Sequence, residues 1–425
     1  MEMPASASVF HNRSFVLFWL SRVCASIAVQ MQSLAVGWQI YNLTDSPFDL
    51  GLVGLMQFLP LVSLMLVAGQ VADRYNRRTI VQLSLGVTGL SVAVLAIGTA
   101  GGWISRDLIL VTILIFGSAR AFQTPTTAAL LPELVPTALL SRAVAASSST
   151  NQIAIIAGPA IGGVLYAVSP PLVYGLSAAL FLLASLLLWP IKIVRQPPRR
   201  DPLPSLPRLR GREGRGKLVF AGIVYIRRNP VILGAISLDL FAVLLGGTTA
   251  LLPIFARDIF GTGPIGLGLL QMSPALGALA MSIPLARWPM RGRVGPTLFA
   301  AVACFGCATI VFGLSRSFAL TMLALAAYGA ADMVSVVIRD TLIQVGTPDL
   351  MRGRVSAVHS LFVGTSNQLG QFRAGLTAAW FGVIPAVLIG GGATLLVVFA
   401  GLKLFPELAG IKSVEGISAA APPPE

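Results

Sequence analysis

Charge is what this sequence has least of. Only 11% of its 425 residues are charged, 55% are hydrophobic and the mean hydropathy is +0.83, whereas ordinary soluble chains carry about a quarter charged residues. That excludes a soluble globular domain and places the chain in a bilayer. Cysteine and histidine are nearly missing, at three and two residues. Cys304 and Cys307 have CxxC spacing but lie among Ala, Val and Ile, and Cys24, His11 and His359 stand alone, so no metal site is expected. No Ser-His-Asp spacing or HExxH occurs. The stretch GREGRGKL (211–218) mimics a phosphate loop, but Leu218 stands where a magnesium-holding hydroxyl is needed and no strand precedes it. These absences leave no catalytic residue, no cofactor and no enzyme.

What is there is length without polarity. A hydrocarbon core of ~30 Å takes roughly twenty apolar residues in a helix, and backbone polar groups in lipid must be satisfied within the segment. Twelve such runs are expected, near 15–42, 49–72, 79–98, 108–131, 142–168, 171–193, 231–256, 265–287, 295–314, 318–345, 355–379 and 383–405. The fold class is therefore an all-α membrane protein with twelve transmembrane helices. The first run is too long for the apolar part of a secretory signal and lacks a small-residue cleavage pattern, so it is expected to stay in place.

A net charge of +14 would suit nucleic acid, but the basic residues alternate by loop. With the amino terminus taken as cytoplasmic, the inner segments hold 23 of the 30 Lys and Arg, the outer loops hold only Arg106, Arg257 and Arg316, and four lie within spans. Lys/Arg excess marks the cytoplasmic side. The expected location is the inner (plasma) membrane with both termini cytoplasmic, and nucleic acid is not a partner. The Pro-, Gly- and Arg-rich stretch 195–217 cannot build a core. It divides the chain into 1–194, a six-helix half; 195–229, a basic linker able to touch anionic lipid; 230–408, a second six-helix half; and 409–425, a tail.

The halves repeat. At an offset of 214, Gly54, Gln57, Pro60 and Arg77 meet Gly268, Gln271, Pro274 and Arg291; at 212, Gly117, Leu130, Pro136 and Arg142 meet Gly329, Leu342, Pro348 and Arg354. Asn12 and Asn229 each stand ten residues before an intramembrane charge, Arg22 and Asp239. Two parallel repeats about a pseudo-two-fold axis follow.

Between spans 2 and 3 lies GQVADRYNRR (69–78). Gly69, Asp73, Arg74, Arg77 and Arg78 resemble the loop signature of the major facilitator superfamily, with Asn76 where a second Gly is usual. Asn tolerates a left-handed turn, so the exchange is mild. Arg120 and Gln123 resemble that family's Arg-x-x-Gln pair, although Thr124 replaces a Gly. AGPAIGG, with Gly158, Pro159, Gly162 and Gly163, resembles the span 5 motif of drug/proton antiporters, with Ala145 and Ala154 where Gly is preferred. RAFQTPTTAALLPELVP (120–136), LDLFAVLLGG (238–247) and RGRVSAVHSLFVGTSNQLG (352–370) resemble the branch holding enterobactin exporters and related drug efflux proteins. The likeness runs from about residue 10 to 408 and implies the twelve-helix major facilitator fold with export as its direction.

Arg77 and Arg78 open span 3, where its dipole disfavours cations, so they need partners: Asp73, lipid phosphate, or acidic and carbonyl groups on a neighbouring helix. The motif reads either as a basic turn or, as the resemblance implies, as a latch between helices 2 and 11 that breaks when the inner face opens. The second repeat has Arg287 where Asp73 would be, so such a latch is one-sided.

Seven ionisable residues lie within spans: Arg22, Arg120, Arg339 and Arg373 against Asp239, Asp332 and Asp340. Each costs roughly 2.5–3.5 kcal/mol at mid-helix on insertion scales, so they should face a wet cavity or pair with one another. Asp239 and Asp332 are the candidates for proton coupling, with Arg120 as the cation that competes with the proton; structural pairing is the alternative. Arg339 near the inner end of span 10 suits an ion pair with a loop as well as a transport role. Substrate-cavity candidates are Arg22, Gln30, Gln57, Phe122, Asn151, Phe241, Gln271, Arg339, Asn367 and Arg373. The excess of Arg over Asp favours anionic or amphipathic small molecules.

The expectation is therefore a secondary active exporter of small amphipathic compounds, siderophore or drugs, exchanging them for protons and acting as a monomer. An importer or facilitator of metabolites and a non-transporting receptor or scaffold are the alternatives.

Overall fold

A computed structural model of the chain describes residues 9–136, 139–191, 222–287 and 292–411, except for the side chains of residues 65, 66, 73, 349 and 350. The linker stretch up to residue 221 with its GREGRGKL segment, Arg291, the tail beyond 411 and the side chain of Asp73 thus lie outside the described residues.

Each expected span falls on a helix of the described residues, the one near 231–256 only as far as Gly246. These helices are α1 (Arg13–Thr44), α2 (Pro47–Arg74), α3 (Arg77–Ala100), α4 (Arg106–Leu134), α5 (Leu140–Val168), α6 (Pro170–Leu188), α7 (Pro230–Gly246), α8 (Gly263–Arg287), α9 (Val294–Leu314), α10 (Phe318–Gly346), α11 (Asp349–Phe381) and α12 (Val383–Leu404). After Gly247 and Thr248 the chain of α7 resumes as short turns through Ile259, the last of them a wide π turn. No strand occurs among the described residues.

The boundaries have local causes. Asn12, Ser46, Ser105, Asn229 and Ser317 each accept a backbone N–H of the first turn of the helix that follows, which satisfies a donor the helix itself leaves open. Pro47, Pro170 and Pro230 then supply the fixed φ of a first turn. Asn76 belongs to this set. Its side chain accepts the N–H of Arg78 at 3.0 Å and its φ is −65°, so it is a helix cap and not the left-handed turn residue the sequence suggested.

Among the described residues, eleven helices are long and apolar enough to cross a membrane by length and composition. The exception is α11, the longest at 33 residues, whose apolar character is diluted by Arg352, Arg354, His359, Asn367, Gln368 and Arg373. A helix that polar belongs beside water or other helices along part of its length.

The chain folds as two units, Met1–Arg199 with Leu252–Met272, and Arg200–Leu251 with Ser273–Glu425. In the first, α3 packs on α6 and α4, α1 on α5 and α6, and α2 on α4. In the second, α9 packs on α12 and α10, and α7 on α11 and α12, which is the same pattern one repeat later. Equivalent glycines permit equivalent approaches. A Cβ on Gly117 would stand 3.1 Å from Gln57 Cα, and one on Gly329 would overlap the backbone of Pro274.

Candidate functional site

In the second unit, α7 and α10 bring together two charges a hundred residues apart in sequence. Asp239 and Arg339 form an ion pair, and they are only 7% and 3% exposed. Arg339 Nη1 also donates to Ser335 Oγ at 3.4 Å, one turn back on α10, while its Nε is buried without a partner. Beside the pair lies a cavity of about 10 Å³, lined by Asp239, Asp332, Ser335, Phe305 and Val302 among others, which is about the volume one water needs. Asp239 and Asp332 therefore face one small, mostly apolar cavity, with Arg339 holding one of them. The cation set against Asp239 is Arg339; Arg120, named from sequence for that role, lies in the first unit on α4, its guanidinium 5.9 Å from the ring centre of Phe116. The loop partner suggested for Arg339 is likewise replaced by this interhelical bond. Asp340 turns instead toward His359, at 3.4 Å.

The first unit carries a larger opening. Arg22 of α1, Leu131 of α4, and Val144, Ser147, Ser148 and Asn151 of α5 line a pocket of about 420 Å³. Ser147 is 8% exposed and its Oγ has no partner. Arg22 and Asn151 are thus brought together.

The other cavity candidates scatter. Gln30 is packed against Gly158, where a Cβ would come within 2.5 Å of the Gln30 Cβ. Gln57 abuts Gly117 through its backbone. Asn367 donates to Val363 O at 2.8 Å on its own helix. Phe241 is exposed, Phe122 and Gln271 are half-buried, and Arg373 has two buried guanidinium nitrogens without partners.

The decapeptide finds partners within its own bundle. Arg77 donates to Glu133 at 2.6 Å and to Ala129 O at 3.1 Å, both on α4. Arg78 donates to Trp189 O and Ile191 O just past α6, at 3.0 and 2.9 Å. Arg74 is exposed, and Gly69 lies half-buried inside α2. An acid and carbonyl groups of neighbouring segments thus partner the two arginines, while Arg78 Nε is buried without a partner.

The small residues of α5 admit two other backbones. A Cβ on Gly162 would stand 3.0 Å from Met31 Cα of α1, and one on Gly163 would stand 2.5 Å from Pro264 O at the start of α8. Pro159 O in turn lies 2.6 Å from where a Gly268 Cβ would be.

One cluster escaped the sequence reading. Arg257, beyond α7, pairs with Asp45 and with Asp258, the latter at 2.7 Å, and donates to Asn42 Oδ1 at 3.2 Å and Tyr41 O at 3.3 Å. Its guanidinium lies 4.1 Å from the Tyr41 ring centre, and the Tyr41 hydroxyl donates to Asp258. The sequence held one signal: Arg257 is among only three basic residues in loops otherwise stripped of them.

A family model described as transmembrane secretion effector matches residues 5–424. The chain belongs to the major facilitator superfamily. Among relatives of this transporter, the enterobactin exporter EntS of Shigella dysenteriae serotype 1 (strain Sd197) is 26% identical over 404 residues, covering 93% of this chain and 94% of that protein. EntS of Citrobacter koseri is 26% identical over 399 residues, with 93% and 92% covered. Among solved structures, a bacterial homologue of the lysosomal transporter Spinster superposes with a TM-score of 0.68 at 15% identity over 95% of this chain and 97% of that one. The nucleoside transporter NupG gives 0.69 at 14% identity over 92% and 99%. At such identities these structures share the fold, which for a superfamily member is twelve membrane helices in two repeats. The chain is thus a multi-pass membrane transporter of small molecules and not an enzyme.

Proposed function

We propose that this transporter exports small amphipathic compounds, a siderophore or drugs, by alternating access in exchange for protons. The observation that carries the reading is the buried Asp239–Arg339 pair with Asp332 on the same small cavity. Burying an acid is costly unless it is paired, and an acid that must trade its partner for a proton is what coupling requires. Proton arrival at Asp239 neutralises one side of the pair. Arg339, left with Ser335 and an open Nε, then has reason to move toward Asp332, seven residues away on its own helix. Loss of the proton restores the pair, which makes a two-state element of the kind alternating access needs.

Export rather than uptake is supported by likeness to the EntS relatives and by the glycine-rich contacts of α5 with α1 and α8. The basic residues favour an orientation with both termini and the 195–229 linker in the cytoplasm. Residues 1–194 and 230–408 are then the two halves, with a cytoplasmic tail from 409. In that orientation Gly69, Asp73, Arg74, Arg77 and Arg78 form the inner gating loop, and the protein works as a monomer.

The test is uptake of enterobactin into inverted membrane vesicles with an imposed pH gradient, acid inside. Uptake is expected in wild type, lost when the gradient is collapsed and lost in Asp239→Asn and Asp332→Asn. Uptake indifferent to the gradient would remove antiport, and unimpaired variants would remove these two aspartates.

A further inference from the structure

The two repeats share a framework on which the charges are reversed. Asn12 caps α1 and Asn229 caps α7, and ten residues beyond each cap stand Arg22 and Asp239. Ser105 caps α4 and Ser317 caps α10, both helices of 29 residues. Fifteen residues beyond those caps stand Arg120 and Asp332, and twenty-two beyond stand Thr127 and Arg339. The second repeat therefore has two acids and its own cation. The first has two cations, and the position of the counter-charge is taken by Thr127, whose buried Oγ1 has no partner.

Among the described residues of the first unit, no acid is paired with Arg22 or Arg120. Its acids with described side chains are Asp45, Asp49, Asp107, Glu133 and Asp258. Asp45 and Asp258 are held by Arg257, Asp49 and Asp107 by Arg106, and Glu133 by Arg77. The pocket at Arg22 meanwhile has the makings of a binding site: one cation, the unpartnered and nine-tenths buried Ser147 hydroxyl, Ser148, the Asn151 amide, and apolar flanks at Leu131 and Val144. It is lined by no acid.

We propose that the Arg22 pocket of the first bundle binds the oxyanion of an amphipathic organic acid, with the apolar body of that compound against Leu131 and Val144. The division of labour follows from the reversal: the second repeat keeps its acids for protons, and the first keeps its unneutralised arginines for the substrate. The inference rests on reading the chain as an exporter of organic compounds and adds which bundle, which arginine and which group of the compound make the contact. A charge-assisted bond in a partly dry pocket is stronger than its neutral counterpart, so selectivity should follow the charge of the ligand and not its size.

The test is equilibrium binding of 7-methoxycoumarin-3-carboxylate and of its uncharged carboxamide to the purified full chain in nanodiscs, read by fluorescence anisotropy with no ion gradient. Wild type is expected to bind the carboxylate at least about tenfold more tightly than the carboxamide. Arg22→Gln should lose that preference, with carboxylate binding weakened at least about tenfold to the level of the carboxamide, and Arg22→Lys should keep part of it. If Arg22→Gln does not fold, Ser148→Asp decides by the same readout, since it leaves Arg22 in place and plants a fixed carboxylate in the pocket. A wild type that binds both compounds equally or neither overturns the proposal, as does a folded Arg22→Gln that keeps the preference. Gradient-driven enterobactin uptake is measured alongside. Its absence with the carboxylate preference intact overturns the export reading alone; its presence without the preference overturns the anion site alone.

Discussion

Replacing Asp239 with Asn removes one half of a buried ion pair and leaves the other half charged. The two residues are 7% and 3% exposed, so solvent does not screen the loss. What remains to Arg339 is one long bond to Ser335 at 3.4 Å, with its Nε already lacking a partner. Stranding one member of such a pair costs ~3–5 kcal/mol. Asp332, on the same cavity, offsets part of this by remaining as a nearby acid and by losing a like-charged neighbour. The expectation is therefore the lower end, ~3 kcal/mol, which multiplies the unfolded fraction of the second bundle by more than ~100. Unfolding of the purified chain in mixed micelles by increasing denaturing detergent, followed by circular dichroism, measures this directly. The double variant Asp239→Leu with Arg339→Met should recover most of the stability, since a buried pair and apolar residues of like volume nearly break even, yet it should not couple transport to protons. A single variant within about 0.5 kcal/mol of wild type, or a double variant as unstable as the single, would refute the reasoning.

The Arg257 cluster ties the segment after α7 to the end of α1 through Asp45, Asp258, Asn42 and Tyr41. Its members are partly exposed, so each of the two ion pairs contributes only ~0.2–1 kcal/mol; Arg257→Ala should loosen that end by about two- to thirtyfold, read as faster labelling of a cysteine placed at Asn42 in a cysteine-depleted chain, and unchanged labelling would show that the cluster does not hold that end. Gly163→Ala should abolish transport at normal expression, because its Cβ would meet the carbonyl of Pro264 at 2.5 Å, whereas Gly175→Ala, with nothing within 4 Å, should transport normally and gain about 0.5–1 kcal/mol in stability. Equal behaviour of the two glycine variants would show that close approach at α5 is not needed.

Much of the molecule was legible in one dimension. An apolar run of the right length becomes a membrane helix wherever it sits, because the bilayer acts on each segment separately, and each of the twelve expected spans falls on a helix of the described residues. Asn76 was misread because an Asn in a turn serves equally as a left-handed residue or as a cap, and only the backbone angle separates these uses. That Arg22, Arg120, Asp239, Arg339 and Asp332 are costly charges was also visible, since a charge within a span is expensive on its own account.

Partners were not visible. Whether Asp239 meets Arg339 or Arg120 depends on which helices adjoin and how each is rotated about its axis, and neither quantity has a sequence signature in a single chain. Likewise Arg257 read as a stray loop charge until the turns after α7 set it beside Asp45 and Tyr41. Sequence alone thus determined the spans, the repeat and the identity of the costly charges, because insertion acts on each helix by itself. Tertiary structure decided which of those charges neutralise one another and which stay open, because pairing in a low-dielectric interior is settled over a few ångströms.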